Sequence, residues 1–178
     1  ARRVLRAGSV FGQRFWRGGA EALVGAAAGD AALATLVDDE MITRARETRF
    51  SGEHEYAFRH ALVREAAYAM LTDEDRGVGH RLAGAWLEGA GEGAASVLAE
   101  HFEKGELRER AAVWYRRAAE HAFEGNDLAL ALSWAERGIG CAEAGSAEVG
   151  WVGEMSLLQA RAHLWRGQAP QTKRGADS

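Results

Sequence analysis

Apolar residues recur at helical spacing in the second half of the chain, and this pattern constrains the fold more than any other feature. Counting from Ala111, they fall at i, i+4, i+7, i+8 and i+11, the pattern stops at Gly125-Asn126, and it resumes over residues 128 to 139. Apolar residues spaced in this way lie on one face of an α-helix. Because most of them are alanine, two such helices can approach closely. The sequence therefore predicts an antiparallel helical hairpin.

A third helix is predicted over about residues 148 to 166, and it ends in Gly167-Gln168, forty-two positions after Gly125-Asn126. A period of this size indicates stacked helical repeats of tetratricopeptide-like type, somewhat longer than the usual length of about 34 residues. Since two units or fewer cannot close a stable solenoid, we expect the array to continue in a larger parent protein.

The first part of the chain predicts a different architecture. Two short helices fit its beginning, and a third is expected over DAALATLVDDE, with Asp30 as its N-cap and an apolar stripe at Leu33, Leu36 and Val37. Alternating residues in MITRARETRF and EYAF then predict a small two-stranded hairpin. Three helices followed by a hairpin describe a winged-helix domain.

The chain is expected to be helical after the hairpin. An apolar stripe at Leu62, Ala66, Ala69 and Met70 predicts the next helix, and a capping box beginning at Thr72 opens the one after it. We therefore predict a mainly α fold. Its parts are a winged-helix-like domain over residues 1–71, a helical linker with tetratricopeptide-like hairpins over residues 72–167, and a disordered tail over residues 168–178.

Composition narrows the environment and the partners. The net charge of −4 gives no general attraction to nucleic acid or to anionic membranes. Cys141 is the sole cysteine and cannot close an intrachain disulfide, and no apolar run approaches the roughly 20 residues needed to cross a bilayer. The sequence predicts a cytoplasmic protein without membrane contact.

One long stretch carries a family resemblance. Residues 50 to 68 read F-x-G-E-x-E-Y-x-F-x-H-x-L-V-R-E-x-A-Y, and SVFGQRFW before them and HRLAGAWLE, AEHFEKG and AAVWYRRAAEHA after them extend the match over about residues 1 to 145. This succession resembles the segment that follows the nucleotide-binding domain in bacterial signalling ATPases of the STAND type. Those proteins often add a protein kinase or nucleotide cyclase domain. The resemblance implies a winged helix that packs on an upstream ATPase, which would bind ATP or ADP, and a repeat region that recruits protein partners.

The resemblance also implies a role for two residues at the end of the hairpin. In the family a histidine of the winged helix can face the phosphates of bound ADP, and His60, beside Arg59, matches its position. An imidazole donor near a helix N-terminus suits a diphosphate. The alternative is that His60 caps the helix or fills a polar gap, while Arg59 pairs with Glu55 or Glu65. No G-x-x-x-x-G-K-[ST] sequence is present, so no cofactor is expected in this chain itself.

A DNA-binding regulator with a helical oligomerisation domain is the alternative function, because winged helices often read DNA through their third helix. The third helix predicted here has no lysine or arginine and ends in acidic residues, which argues against DNA readout. The predicted wing does carry Arg44 and Arg46 on one strand face, with Arg49 near the turn. They are candidates for a secondary interface, and a solvated face is the simpler interpretation.

The helical hairpin is expected to bind a protein partner. Five residues are candidates to line its binding face, although packing would equally explain the tryptophan and solvent exposure the charges: Arg116, Arg117, Glu120, Trp134 and Arg137. For catalysis the six histidines are scattered, none forms H-E-x-x-H, and Ser9 and Cys141 lie outside any nucleophile motif. The sequence therefore predicts no enzyme and no metal site, and a free-standing enzyme would need a deep polar pocket with converging titratable groups.

Overall fold

The computed structural model describes residues 1–25, 29–144, 153, 156, 157, 159–161 and 164. The described chain is mainly helical, with a small three-stranded antiparallel sheet, and it forms two compact units. The first contains residues 1–92 with 104–106, and the second contains residues 93–103 and the chain from residue 107 onward. None of the described helices is long and apolar enough to cross a membrane.

The described residues of the first unit form five helices and three strands. Their order is α1 (Arg2–Phe11), β1 (Arg14–Trp16), α2 (Arg17–Val24), α3 (Asp30–Asp38), β2 (Ile42–Arg44), β3 (Glu55–Phe58), α4 (Ala61–Ala69) and α5 (Asp73–Gly89). The first helix is longer than predicted, and the strand β1 was not predicted from the sequence.

The sheet has the strand order β1-β3-β2, and both pairings are antiparallel. The predicted hairpin between β2 and β3 is confirmed, with Ile42 opposite Phe58. The added strand β1 lies on the other side of β3 and places Phe15 opposite Tyr56. All four of these side chains are buried, so one face of the sheet supplies the core of the unit.

Helix α3 completes that core with Leu33 and Leu36, which are buried as predicted. Val37 was predicted to share the stripe, but it is 37% exposed, because only one side of α3 packs against the rest of the unit. Asp30 was predicted as the N-cap; Gly29 holds that position and Asp30 is the first helical residue. A carboxylate in the first turn still interacts favourably with the helix dipole.

The prediction of which face of α4 is buried was wrong. Leu62 and Met70 are 76% and 59% exposed, and the alanines of that stripe are exposed as well. The inward face instead carries Val63 and Ala67, which lie about a third of a turn away and are directed towards the core that α1 helps to form. The helix has two apolar arcs, and periodicity alone does not say which one meets the core.

Helix α5 starts at the predicted cap, where the Thr72 hydroxyl accepts a hydrogen bond from the Asp75 amide at 3.1 Å. It packs on α1 and α2 and thereby belongs to the first compact unit, which extends past residue 71. Its Trp86 joins a cluster of aromatic rings with Phe11, Trp16 and Phe50, at centroid distances of 5.6 to 5.8 Å from each.

The second unit consists of α6 (Ala95–Lys104), α7 (Arg108–Glu124), α8 (Leu128–Ala144) and the scattered helical residues beyond. Helices α7 and α8 pack along their length as the predicted antiparallel hairpin, with Ala119 and Ala135 fully buried at the seam. The turn is where it was expected: Asn126 has φ 59°, and the Asp127 carboxylate accepts a hydrogen bond from the amide of Leu130. Most of the predicted third helix at 148–166, and the tail at 168–178, lie outside the described residues.

Candidate functional site

The junction between β3 and α4 exposes the two residues that the resemblance singles out. β3 ends at Phe58, and His60 is the N-cap of α4 with an extended backbone (φ −132°, ψ 135°). Its carbonyl accepts hydrogen bonds from the amides of Val63 and Arg64 at 3.1 and 3.4 Å, but its imidazole makes no capping bond. Arg59 and His60 are both exposed. The imidazole of His60 is therefore not used to cap the helix, contrary to that alternative.

Arg59 has a different ionic partner from those considered in the sequence analysis. Its guanidinium pairs with Glu40 at 3.2 Å, and the two side chains are 45% and 72% exposed. An ion pair this exposed contributes only about 0–1 kcal/mol, so the guanidinium can exchange Glu40 for another anion at small cost. Glu65 instead faces Arg64 at 3.5 Å.

Glu55 is unavailable to Arg59 because it is buried in the sheet, at 3% exposure. One carboxylate oxygen accepts from Arg14 at 3.1 Å; the other accepts from the Trp16 indole at 3.2 Å and from the Arg49 amide at 3.0 Å. This buried carboxylate joins β1, β3 and the loop between β2 and β3. Its role was not predictable from the sequence, because its partners Arg14, Trp16 and Arg49 lie 6 to 41 positions away in the chain.

The three arginines of the predicted wing are not equivalent. Arg44 ends β2, and Arg46 lies beyond the strand in a bend, so they do not share a strand face; both are exposed. The Arg49 guanidinium donates to Glu92, whose side chain is 1% exposed. Arg49 therefore stabilises the unit, and Arg44 and Arg46 remain as surface cations.

Two open grooves border the first unit. One, of about 360 Å³, has mainly apolar walls from α1, α2 and α5, with Arg3, Arg6, Glu74 and Asp75 among its charged lining residues. The other, of about 420 Å³, has two acidic and two basic lining residues: Asp30, Asp38, Arg44 and His54. Within the described chain no ion pair joins these four to one another; Asp30 pairs with Arg17 at 2.8 Å. Neither groove presents a nucleophile with an adjacent base.

In the second unit, Trp134 and Arg137 are brought together in a polar cluster around Glu103. The Arg137 guanidinium lies 4.6 Å from the Tyr115 ring centroid and 5.3 Å from that of Trp134. It donates to Glu103 and, at 3.3 Å, to Glu100. Arg137 thus links α6 to the hairpin. Trp134 stacks on the Tyr115 ring at a centroid distance of 5.6 Å, which favours the packing interpretation of the tryptophan.

The same cluster shifts the pKa values of several ionisable groups. Burial opposes ionisation of Glu103, but hydrogen bonds from Tyr115 (2.7 Å) and Arg137 outweigh it and hold the pKa of the carboxyl below its usual value. Burial and the bond to Glu103 raise the pKa of Tyr115. Burial, with the nearby Glu103 charge, raises the pKa of the Cys141 thiol to about 11. A thiol with this pKa stays protonated at neutral pH and is a poor nucleophile.

The remaining candidates lie on α7. Arg116 pairs with Glu120 at 3.7 Å, one helical turn on. Arg117 is exposed and its guanidinium lies 4.5 Å from the centroid of the Trp114 ring. Glu120 is thus a partner of Arg116, and Arg117 packs on a tryptophan of its own helix. The cluster around Glu103 was missed from the sequence, although Glu100 and Glu103, three apart on one helix, were a signal for it.

The described residues contain no group of three or more histidine, cysteine, aspartate or glutamate side chains that could hold a metal ion. No protein-family model matches the chain, and no curated protein or solved structure is significantly similar to it.

Proposed function

We propose that this chain is a non-catalytic regulatory and protein-interaction segment of a multidomain, nucleotide-dependent signalling ATPase of the STAND type, working in the cytoplasm. In this proposal the first unit is a winged-helix domain and the second begins a tetratricopeptide-like array. The observation that carries it is the exposure of Arg59 and His60 at the end of a buried sheet strand. ATP or ADP would bind to an upstream domain rather than to this chain.

The order of elements in the first unit supports the winged-helix assignment. A helix, a strand, two helices and two further strands are followed by more helix, and the first strand pairs with the last. The β2–β3 connection, which carries Arg46, would be the wing.

The chemistry of Arg59 and His60 supports a nucleotide-state contact. Both lie at the N-terminus of α4, where the helix dipole favours an anion, and Arg59 is held only by an exposed pair with Glu40. A diphosphate on an apposed domain could therefore recruit both side chains without breaking the fold. A partner bound to the helical hairpin would shift the population between docked and undocked states of the winged helix.

The test begins with the coding sequence upstream of this chain, which should contain a phosphate-loop domain. That domain, purified separately, should associate with the chain more tightly in ADP than in a non-hydrolysable ATP analogue, as measured by calorimetry. His60→Ala and Arg59→Ala should each remove most of the difference. His54→Ala, which truncates another exposed histidine of the same unit, is the matched control. Equal association in both nucleotides would contradict the proposal.

DNA binding is the competing function, and the exposed cations Arg44 and Arg46 are what favours it. Against it, α3 has no basic residue in its last turn and has Asp30 in its first. A mobility-shift titration of generic duplex DNA decides between them. Tight binding that weakens steeply with salt and is lost in Arg44→Glu would replace the signalling proposal with this one.

A further inference from the structure

The groove of about 360 Å³ on the first unit, which we call the α1–α5 groove, has an apolar floor. The floor lies where α5 comes closest to α1: a Cβ atom on the buried Gly79 would be 3.2 Å from Val10 Cγ2 and 3.8 Å from Leu23 Cδ2. Val78 and Leu82 also line the groove, and they are 40% and 39% exposed. Adjoining apolar side chains that remain in contact with water are typical of a binding surface.

The α1 side of the groove is basic. It carries Arg3 and Arg6, which lie one turn apart on α1. Within the part of the chain that the structure describes, neither guanidinium is paired with a carboxylate, and Nε of Arg6 is buried without a hydrogen-bond acceptor. A buried donor without an acceptor is unfavourable, and a carboxylate is the acceptor that best fits a guanidinium. This side of the groove therefore favours an acidic group.

The α5 side of the groove is acidic. Glu74 and Asp75 line it from the first turn of α5, and both are exposed. The neighbouring Asp73 pairs with Arg76 at 3.0 Å, whereas Glu74 and Asp75 have no basic partner among the described residues. The acidic and basic side chains thus line one groove without pairing with one another. Charges of both signs are available to a partner, and each sign comes from a different helix.

The lining residues on each side extend over about two helical turns. Seven residues separate Arg3 from Val10 on α1, and seven separate Asp75 from Leu82 on α5, which is about 10 Å along either axis. The apolar residues at i, i+3, i+4 and i+7 of an added helix extend over the same length. Such a helix could place its apolar stripe on the floor and the residues flanking that stripe beside the charged sides.

From this arrangement we propose that the α1–α5 groove binds an amphipathic helix of a partner protein whose apolar stripe has acidic residues along one edge and basic residues along the other. The acidic edge would lie beside Arg3 and Arg6, and the basic edge beside Glu74 and Asp75. A nucleic acid or an anionic lipid surface would meet like charge on the α5 side. The proposal adds a binding site to the function proposed above and does not depend on the contact through His60.

The test uses the purified chain and a fluorescein-labelled, stapled helical peptide of about twelve residues, or a little over three turns. This mixed-edge peptide has a leucine stripe with glutamates along one edge and lysines along the other. Two matched peptides carry only glutamates or only lysines along both edges. By fluorescence anisotropy in 0.15 M salt, the mixed-edge peptide should bind, and each matched peptide should bind at least tenfold more weakly, because each brings like charges together on one side of the groove.

Charge reversal in the protein separates a direct contact from a loss of structure. Arg3→Glu makes both sides of the groove acidic, so it should weaken the mixed-edge peptide about tenfold and strengthen the peptide with lysines along both edges by severalfold. Arg2→Glu makes the same change at an exposed residue that does not line the groove, and both affinities should be unchanged. Leu82→Ser should weaken the mixed-edge peptide severalfold, whereas Leu62→Ser, on the exposed side of α4, should not.

Three results would overturn the proposal: no binding of the mixed-edge peptide, equal affinities for the three peptides, or equal losses in Arg3→Glu and Arg2→Glu. Displacement of the peptide by decanoate, with decanoate binding lost in Leu82→Ser, would instead make the groove a small-molecule site. Circular dichroism confirms that each variant is folded. His60→Ala should bind the mixed-edge peptide as the unaltered chain does, so the failure of this proposal and the failure of the nucleotide-dependent association are distinguishable.

Discussion

Replacing Glu55 with alanine should destabilise the first unit strongly, because this buried carboxylate satisfies three donors at once. The Trp16 indole is buried, and its N–H would lose the Glu55 carboxylate as acceptor, at a cost of about 1–3 kcal/mol. The Arg49 amide is partly buried, and the loss of its hydrogen bond to Glu55 would cost about 1 kcal/mol. The Arg14 guanidinium is 71% exposed, so its pair with Glu55 adds at most about 1 kcal/mol after screening by solvent. The expected loss is therefore roughly 3 kcal/mol.

Urea unfolding followed by far-UV circular dichroism measures this loss. With an m-value of about 1.5 kcal/mol/M for a unit of this size, the midpoint of the affected transition should fall by about 2 M. Glu55→Gln keeps the shape and one acceptor and should lose less. Glu47→Ala, at an exposed position in the same region, is the control. A Glu55→Ala protein as stable as that control would refute the structural role assigned to the carboxylate.

Three further predictions concern the second unit. Ala119→Leu should cost about 1–3 kcal/mol by overpacking the seam, measured by urea unfolding, and a neutral result would contradict close helix packing. Tyr115→Phe should cost about 1 kcal/mol at pH 7 and less at pH 3, since the stability linked to the lowered pKa of Glu103 is present above the unfolded pKa and lost as the pH falls through the folded value. Cys141 should react slowly with a disulfide reagent at pH 8 in the folded protein and rapidly in urea. The free energy of folding linked to its raised pKa should be fully present below about pH 9 and be lost as the pH rises through about 11. Equal thiol reaction rates in the folded and unfolded protein would contradict its burial.

The helical hairpin was predictable because its signal is local. The seam residues of α7 are spaced by three and four, so the sequence alone identifies the buried face, and Ala111, Tyr115 and Ala119 are fully buried. The break at Gly125-Asn126 is equally local, since the turn needs a residue that tolerates a left-handed backbone.

Features that depend on distant partners were not predictable. The strand β1 has three residues, and only its pairing with β3, some forty positions later, makes it a strand. The buried face of α4 was wrongly predicted for the same reason: Leu62 and Val63 are both apolar, and the choice between them depends on where the core of α1 lies. Arg137 and Glu103 likewise meet only because α6 and α8 pack together.

The sequence Phe58-Arg59-His60 owes its properties to the change from strand to helix at that point. Within a continuing strand, side chains alternate between faces, so one of Arg59 and His60 would point towards the core. The backbone of Phe58 is fixed by Gln13, whose carbonyl accepts from the Phe58 amide at 2.9 Å and whose side-chain amide donates to the Phe58 carbonyl. The helix then begins at Ala61, and both ionisable residues are exposed in succession. A buried strand residue, Phe58, is thus followed by two exposed hydrogen-bond donors, Arg59 and His60, at a helix N-terminus. Neither a strand nor a helix alone provides this arrangement, which is suited to contact with an external anion.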